Sequence, residues 1–85
     1  MFIFAIQIVE KMEVKKHDIA FFVSFCVEQY KTAKGISGKD AVNILNQYGV
    51  LEYLEKGYEP LHTQSMQWLL EEIDEFINIR KGASA

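Results

Sequence analysis

The chain is short of most residues that chemistry depends on. In 85 residues it has one cysteine, one proline, one arginine, one tryptophan and two histidines. A lone Cys26 excludes an intramolecular disulfide and leaves no second thiolate for a structural zinc. One cysteine also fits a reducing compartment, so the expected location is cytoplasmic. His17 and His62 stand too far apart for an HxxxH pair, and there is no glycine-rich phosphate loop and no nucleophile elbow. No metal or cofactor is therefore expected, and the chain reads as a non-enzyme. A membrane-spanning helix needs about 20 apolar residues, and no run here reaches that length, so no membrane association is expected either. Arginine is scarce where a nucleic-acid reader needs it. Residues 1–41 carry six lysines against five acids, while residues 42–85 carry three basic residues against seven acids. A half that acidic is a poor match to a polyanion, so no nucleic-acid partner is expected.

What remains is a globular composition, 49% hydrophobic and 25% charged, in a length that suits one small core. Residues 1–16 read as an apolar N-terminal extension, 17–81 as a single helical domain and 82–85 as a frayed tail. The opening MFIFAIQIVEK lacks the basic start and small-residue cleavage site of a signal peptide. Phe2, Phe4, Ile6 and Ile8 alternate as in a strand, but a lead-in turn of helix also fits. Translation starting at Met12 would place the whole segment upstream of the natural protein.

From His17 the helical pattern is strong. Ile19, Phe22, Val23, Cys26, Tyr30 and Ala33 share one face, and Gly35 stops the helix. Phe21 lies off that face, one turn from Phe25, which predicts packing on two sides. Ser37 caps the next helix, with Asp40 three residues on. That helix buries Ala41, Ile44, Leu45 and Tyr48 and ends at Gly49. A short helix from Leu51 to Lys56 buries Leu51 and Leu54, with Val50 or Tyr53 beside them, and ends at Gly57. Pro60 pushes Glu59 toward extended backbone, which predicts no helix from Tyr58 to Leu61. Thr63 or Ser65 caps a last helix running to about Arg80, with Met66, Leu69, Leu70, Ile73, Phe76 and Ile77 inward. The fold class is all-α: a small bundle of three main helices plus one short one.

Each chemically capable residue also has a plain structural reading. Cys26 sits in an apolar stripe, as a buried structural cysteine does. His62 follows a tight turn and can bond backbone groups there, so Tyr58, His62, Thr63 and Gln64 read as a structural turn. The enzymatic alternative uses His62 as a base in a pocket lined by Tyr58 and Gln64. The run Glu71-Glu72-Ile73-Asp74-Glu75 reads as solvated helix surface. A helix-turn-helix arrangement over Ser37–Lys56 is the DNA-binding alternative, but its second helix, LEYLEK, carries Glu52 and Glu55 and no arginine. Trp68 and Ile79 fall on one line opposite the core face of the last helix. With Phe21, Phe2 and Phe4 they form the candidate interface, for a protein partner or for self-association.

From Phe22 to Ile77 the chain resembles a family of short bacterial proteins catalogued only as a domain of unknown function. The resemblance is carried by FVSFCVEQYK, the Ser-Gly-Lys-Asp helix start, YGVLEYL and the Tyr-x-x-Leu-His-Thr-Gln turn before an acidic last helix. It implies a small all-α fold. It also implies gene neighbourhoods containing ADP-ribosyltransferase-like proteins, hence a regulatory or antitoxin-like pairing, and it supplies no catalytic residue. Members begin shortly before the first helix, which implies Met12 as the start. The function expected from these readings is a non-enzymatic protein–protein interaction or regulatory module.

Overall fold

A computed structural model describes the backbone of residues 2–84 and the side chains of residues 16–82. Five helices follow one another: α1 (Phe2–Lys34), α2 (Gly38–Gln47), α3 (Val50–Lys56), α4 (Tyr58–Leu61) and α5 (Met66–Ser84). No strand occurs among the described residues, and the fold is an all-α bundle. The strand reading of the N-terminal segment is corrected: its backbone is helical and continues into α1 without a break at residue 17. At about 1.5 Å per residue, 33 helical residues span about 50 Å. That length sets the molecule's long dimension of 54 Å and its Cα radius of gyration of 15.5 Å. A compact chain of this size would have a radius near 12 Å.

The core is small and wholly apolar among the described residues. Phe22, Cys26 and Tyr30 of α1 meet Ala41 and Leu45 of α2, Val50 and Leu54 of α3, Leu61 of α4, and Leu69, Ile73 and Ile77 of α5. Apart from Ile19, which is half-buried and lines a surface cleft, the expected core faces hold with two adjustments. Val50 is fully buried where Leu51 is only half-buried, and Ala33 is exposed. Both follow from chain ends. Gly49 turns the chain so that α3 enters the core at its first residue, and Ala33 lies in the last turn of α1, past the buried stripe.

Local chemistry sets the joints. Gly35 adopts φ +65°, the left-handed region that side chains avoid. It closes α1 with two bonds, from Ile36 N to the Lys31 carbonyl at 3.2 Å and from Gly35 N to the Thr32 carbonyl at 3.3 Å. This double bond pattern satisfies carbonyls the helix end would orphan. Ser37 Oγ then accepts from Asp40 N at 3.1 Å, the N-cap its position predicts. Gly49, at φ +75°, turns the chain at the α2–α3 joint, and its N–H donates to the Asn46 carbonyl at 3.1 Å. Ser65 rather than Thr63 caps α5, accepting from Trp68 N at 3.2 Å, while Thr63 donates to the Pro60 carbonyl at 3.0 Å.

Two expectations are overturned. Tyr58–Leu61 is one turn of helix despite Pro60. Proline there sits in the first turn, where its missing N–H has no intrahelical partner to lose. The bonds of this turn come from Leu61 N to Gly57 O at 3.0 Å and His62 N to Tyr58 O at 2.9 Å. Helix α5 extends through Gly82 to Ser84; a single exposed glycine costs a helix only about 1 kcal/mol. The acidic run is not all solvated. Glu72 and Asp74 are half-buried and tie helices together. Tyr53 donates to Glu72 Oε1 at 3.1 Å, and Lys34 pairs with both Asp74 oxygens at 3.0 Å.

Gly57 tests the joint between α3 and α4. A Cβ there would lie 2.7 Å from Leu61 Cδ1 and 3.1 Å from the Tyr53 carbonyl oxygen. Leu61 is in the core and cannot simply swing away. Gly57→Ala is expected to destabilise the fold by about 1–3 kcal/mol. Gly82→Ala, with nothing within 4 Å of its Cβ, is expected to stabilise it by up to about 1 kcal/mol. Urea unfolding followed by circular dichroism compares the two, and equal midpoints would contradict the steric argument.

Candidate functional site

The buried stripe of α1 advances by four residues at a time, through positions 22, 26 and 30. Each residue turns a helix by about 100°, so Phe21 and Phe25 stand beside the stripe, one position behind Phe22 and Cys26. Phe21 is 69% and Phe25 45% exposed. The α4 turn brings Tyr58 and His62 against this flank. The Tyr58 ring meets Phe22 edge-on, centroids 5.6 Å apart at 77°, and lies parallel to the His62 ring at 4.4 Å and 10°. The result is an open cleft of about 240 Å³ lined by Asp18, Phe21, Phe22, Phe25, Tyr58 and His62.

His62 is held by its backbone and its side chain at one oxygen. Its N–H and its Nδ1 both donate to the Tyr58 carbonyl, at 2.9 and 2.8 Å. With Nδ1 as donor, Nε2 of the neutral ring is an acceptor and the ring is fixed flat on Tyr58. The side chain is nevertheless exposed. The ring thus bonds the backbone of the α4 turn, and the same residue also lines the cleft. Gln64, grouped with it in the enzymatic alternative, does not line the cleft. Glu59 stands three residues before His62, a spacing metals use. Among the described residues, though, no three His, Cys, Asp or Glu side chains come together as a metal site.

A family comparison bears directly on these residues. The family model described as a protein of unknown function, DUF3791, matches residues 21–80, well over half of the chain. The chain belongs to this family. No curated protein and no solved structure matches the chain. Every DUF3791 residue of the cleft lies inside the matched segment, which leaves only Asp18 outside it. The resemblance read over Phe22–Ile77 also falls within it.

The other candidates are dispersed. Trp68 is 39% and Ile79 61% exposed, both on α5 and neither in the cleft. Phe2 and Phe4 lie outside the described side chains, as does Met12. Phe25 and Asp18 belong to the cleft and were not among the sequence candidates. The off-core Phe21–Phe25 pair was the available signal for the first; for the second it was the position one helical turn before Phe21 and Phe22. A further open cleft of about 240 Å³ lies between α3 and α5, lined by Gly49, Glu52, Tyr53, Lys56, Phe76 and Arg80. There Tyr53 stacks on Phe76 at 4.6 Å, and the Arg80 guanidinium covers the Phe76 ring at 3.5 Å. Among the described residues no helix is long and apolar enough to cross a membrane.

Cys26 lies at the bottom of the core rather than in either cleft. Burial pushes its thiol from an ordinary 9.0 up to about 11. A thiol so placed is a packing group, since the thiolate is the reactive form. Iodoacetamide at pH 8 is expected to alkylate the folded protein at least about a hundredfold more slowly than the urea-unfolded chain. The unfolded thiol loses its proton first as pH rises. Its contribution to stability is therefore intact below pH 9.0 and is lost between there and about pH 11. Urea midpoints of wild type and Cys26→Ala should converge across that window, and parallel curves would refute the assignment.

Proposed function

We propose that the protein works as a non-enzymatic interaction module, binding a protein partner through the aromatic flank of α1 and α4. The observation that carries this is the exposure of Phe21 and Phe25 at the mouth of the cleft, one helical turn apart. Two large apolar side chains held at the surface of so small a domain are a liability unless covered, and aromatic anchors are what interfaces use. The cleft is also smaller than the roughly 300–1,000 Å³ of ordinary ligand pockets. Its size favours a partner's side chain over a substrate. Trp68 and Ile79 on α5 supply a second apolar line for a larger footprint.

A regulatory or antitoxin-like role belongs to the same reading. The resemblance to proteins encoded near ADP-ribosyltransferase-like genes makes a product of that class the first partner to test. The exposed residues of α3 favour a protein over a nucleic acid. Glu52 and Glu55 are exposed there, and Lys56 is already paired with Glu52 at 2.7 Å. Carboxylates so placed would repel phosphates.

Co-purification of the full chain with the product of an adjacent gene tests the proposal. Wild type is expected to elute as a complex. Phe21→Glu combined with Phe25→Glu is expected to lose it while leaving the far-ultraviolet dichroism unchanged. Failure of wild type to bind, or a complex indifferent to both substitutions, would sink the reading.

A further inference from the structure

We propose that the α1–α4 cleft receives a basic side chain, an arginine or lysine presented by the partner protein; this rests on the interaction reading above. The walls are ring faces and edges. Phe22 and Tyr58 stand nearly perpendicular, Tyr58 and His62 lie parallel, and Phe21 and Phe25 complete the rim. Ring faces carry partial negative charge and attract cations, most strongly when several surround one site. Among the described residues the one carboxylate on the lining is Asp18, which forms no ion pair with any of them. Among the described residues no lysine or arginine lines the cleft. Lys16, two residues before Asp18, lines a separate cleft with Ile19, Ala20 and Glu55.

The same fold shows the filled version of this arrangement at its other end. There the stacked pair Tyr53–Phe76 carries the Arg80 guanidinium 3.5 Å from the Phe76 centroid. The α1–α4 cleft also gathers aromatic rings, with Asp18 on its lining. An anionic guest would meet Asp18 and the ring faces, and a purely apolar one would leave Asp18 against it unsolvated. A guanidinium or ammonium on an aliphatic stem suits both features: its head faces Asp18 and its stem lies along Phe21 and Phe25.

The test is a nuclear magnetic resonance titration of the full chain with short capped peptides. One contains arginine, one lysine and one citrulline, which keeps the shape of arginine without its charge. The ring resonances of Phe21, Tyr58 and His62 are expected to shift saturably with the arginine or lysine peptide and not with citrulline. Asp18→Asn is expected to weaken that binding about fivefold, the effect of one charge pair near the surface. Glu71→Gln, the same charge change on exposed α5, should leave it unaltered. Equal binding of citrulline, no ring shifts, or equal effects of the two substitutions would overturn the proposal. So would saturation by tetramethylammonium but by neither basic peptide, which would indicate a free small cation. A protein complex that depends on Phe21 and Phe25 but not on Asp18 would refute the cage and leave the interaction reading standing. Charge-dependent peptide binding without any protein complex would do the reverse.

Discussion

The folded state rests on a single apolar junction to which every helix except α4 brings at least one fully buried side chain. Cys26, Ala41, Leu45, Val50, Leu54 and Ile73 are all inaccessible to solvent. No buried side-chain polar atom lacks a partner among the described residues, and none of the buried side chains is charged. Removing a leucine from such a site costs about 2–5 kcal/mol, a large share of a small domain's total stability. The polar links between helices are weak beside it. The Lys34–Asp74 pair is about 40% exposed on each side and is worth at most about 1 kcal/mol. It can orient the end of α1 against α5, but it cannot hold the bundle together.

Because the junction is small, α1 has far more surface than the core can cover. Its buried residues are three among its described side chains, at positions 22, 26 and 30. Moving one position back along the helix rotates a side chain by about 100°, enough to take it out of the core. Phe21 and Phe25 therefore reach the surface as a consequence of the register that buries Phe22 and Cys26. The α4 turn then decides what they meet. Gly57 permits Leu61 to pack closely under the joint, and that places Tyr58 and His62 over the same flank.

Much of this was legible in the sequence because helix ends obey local rules. Gly35, Ser37 and Gly49 act where their residue types predict, since positive φ and N-capping are settled within a few residues. The misreadings share one origin: a local preference overridden by context. Pro60 disfavours helix at Glu59, yet a first turn has no N–H bond for proline to break. Apolar alternation at Phe2, Phe4, Ile6 and Ile8 suggested a strand, but a segment continuous with a strong helix takes the helix's backbone. Glu72 and Asp74 looked solvated because a helical wheel does not show which neighbour leans over its flank. The cleft was half legible. Phe21 was visible as an off-core aromatic with Asp18 one helical turn before it, whereas the approach of Tyr58 and His62 to them depends on tertiary packing, with 39 residues of chain between Asp18 and Tyr58.

Exposed aromatic residues need a reason beyond stability, and here stability does not supply one. The junction closes without Phe21 and Phe25, so polar residues at those two positions would leave it intact. Phe22 and Tyr58 differ: each packs against the core and also forms a wall of the cleft. His62 likewise serves twice, closing the α4 turn through Nδ1 while presenting its ring beside Tyr58. The core thus fixes the back wall, and the surface pair and Asp18 stand outside the buried cluster. A rigid wall with an optional rim is the arrangement in which a binding surface can form without disturbing the fold. That separation is the physical ground for the proposal that a partner binds at this flank.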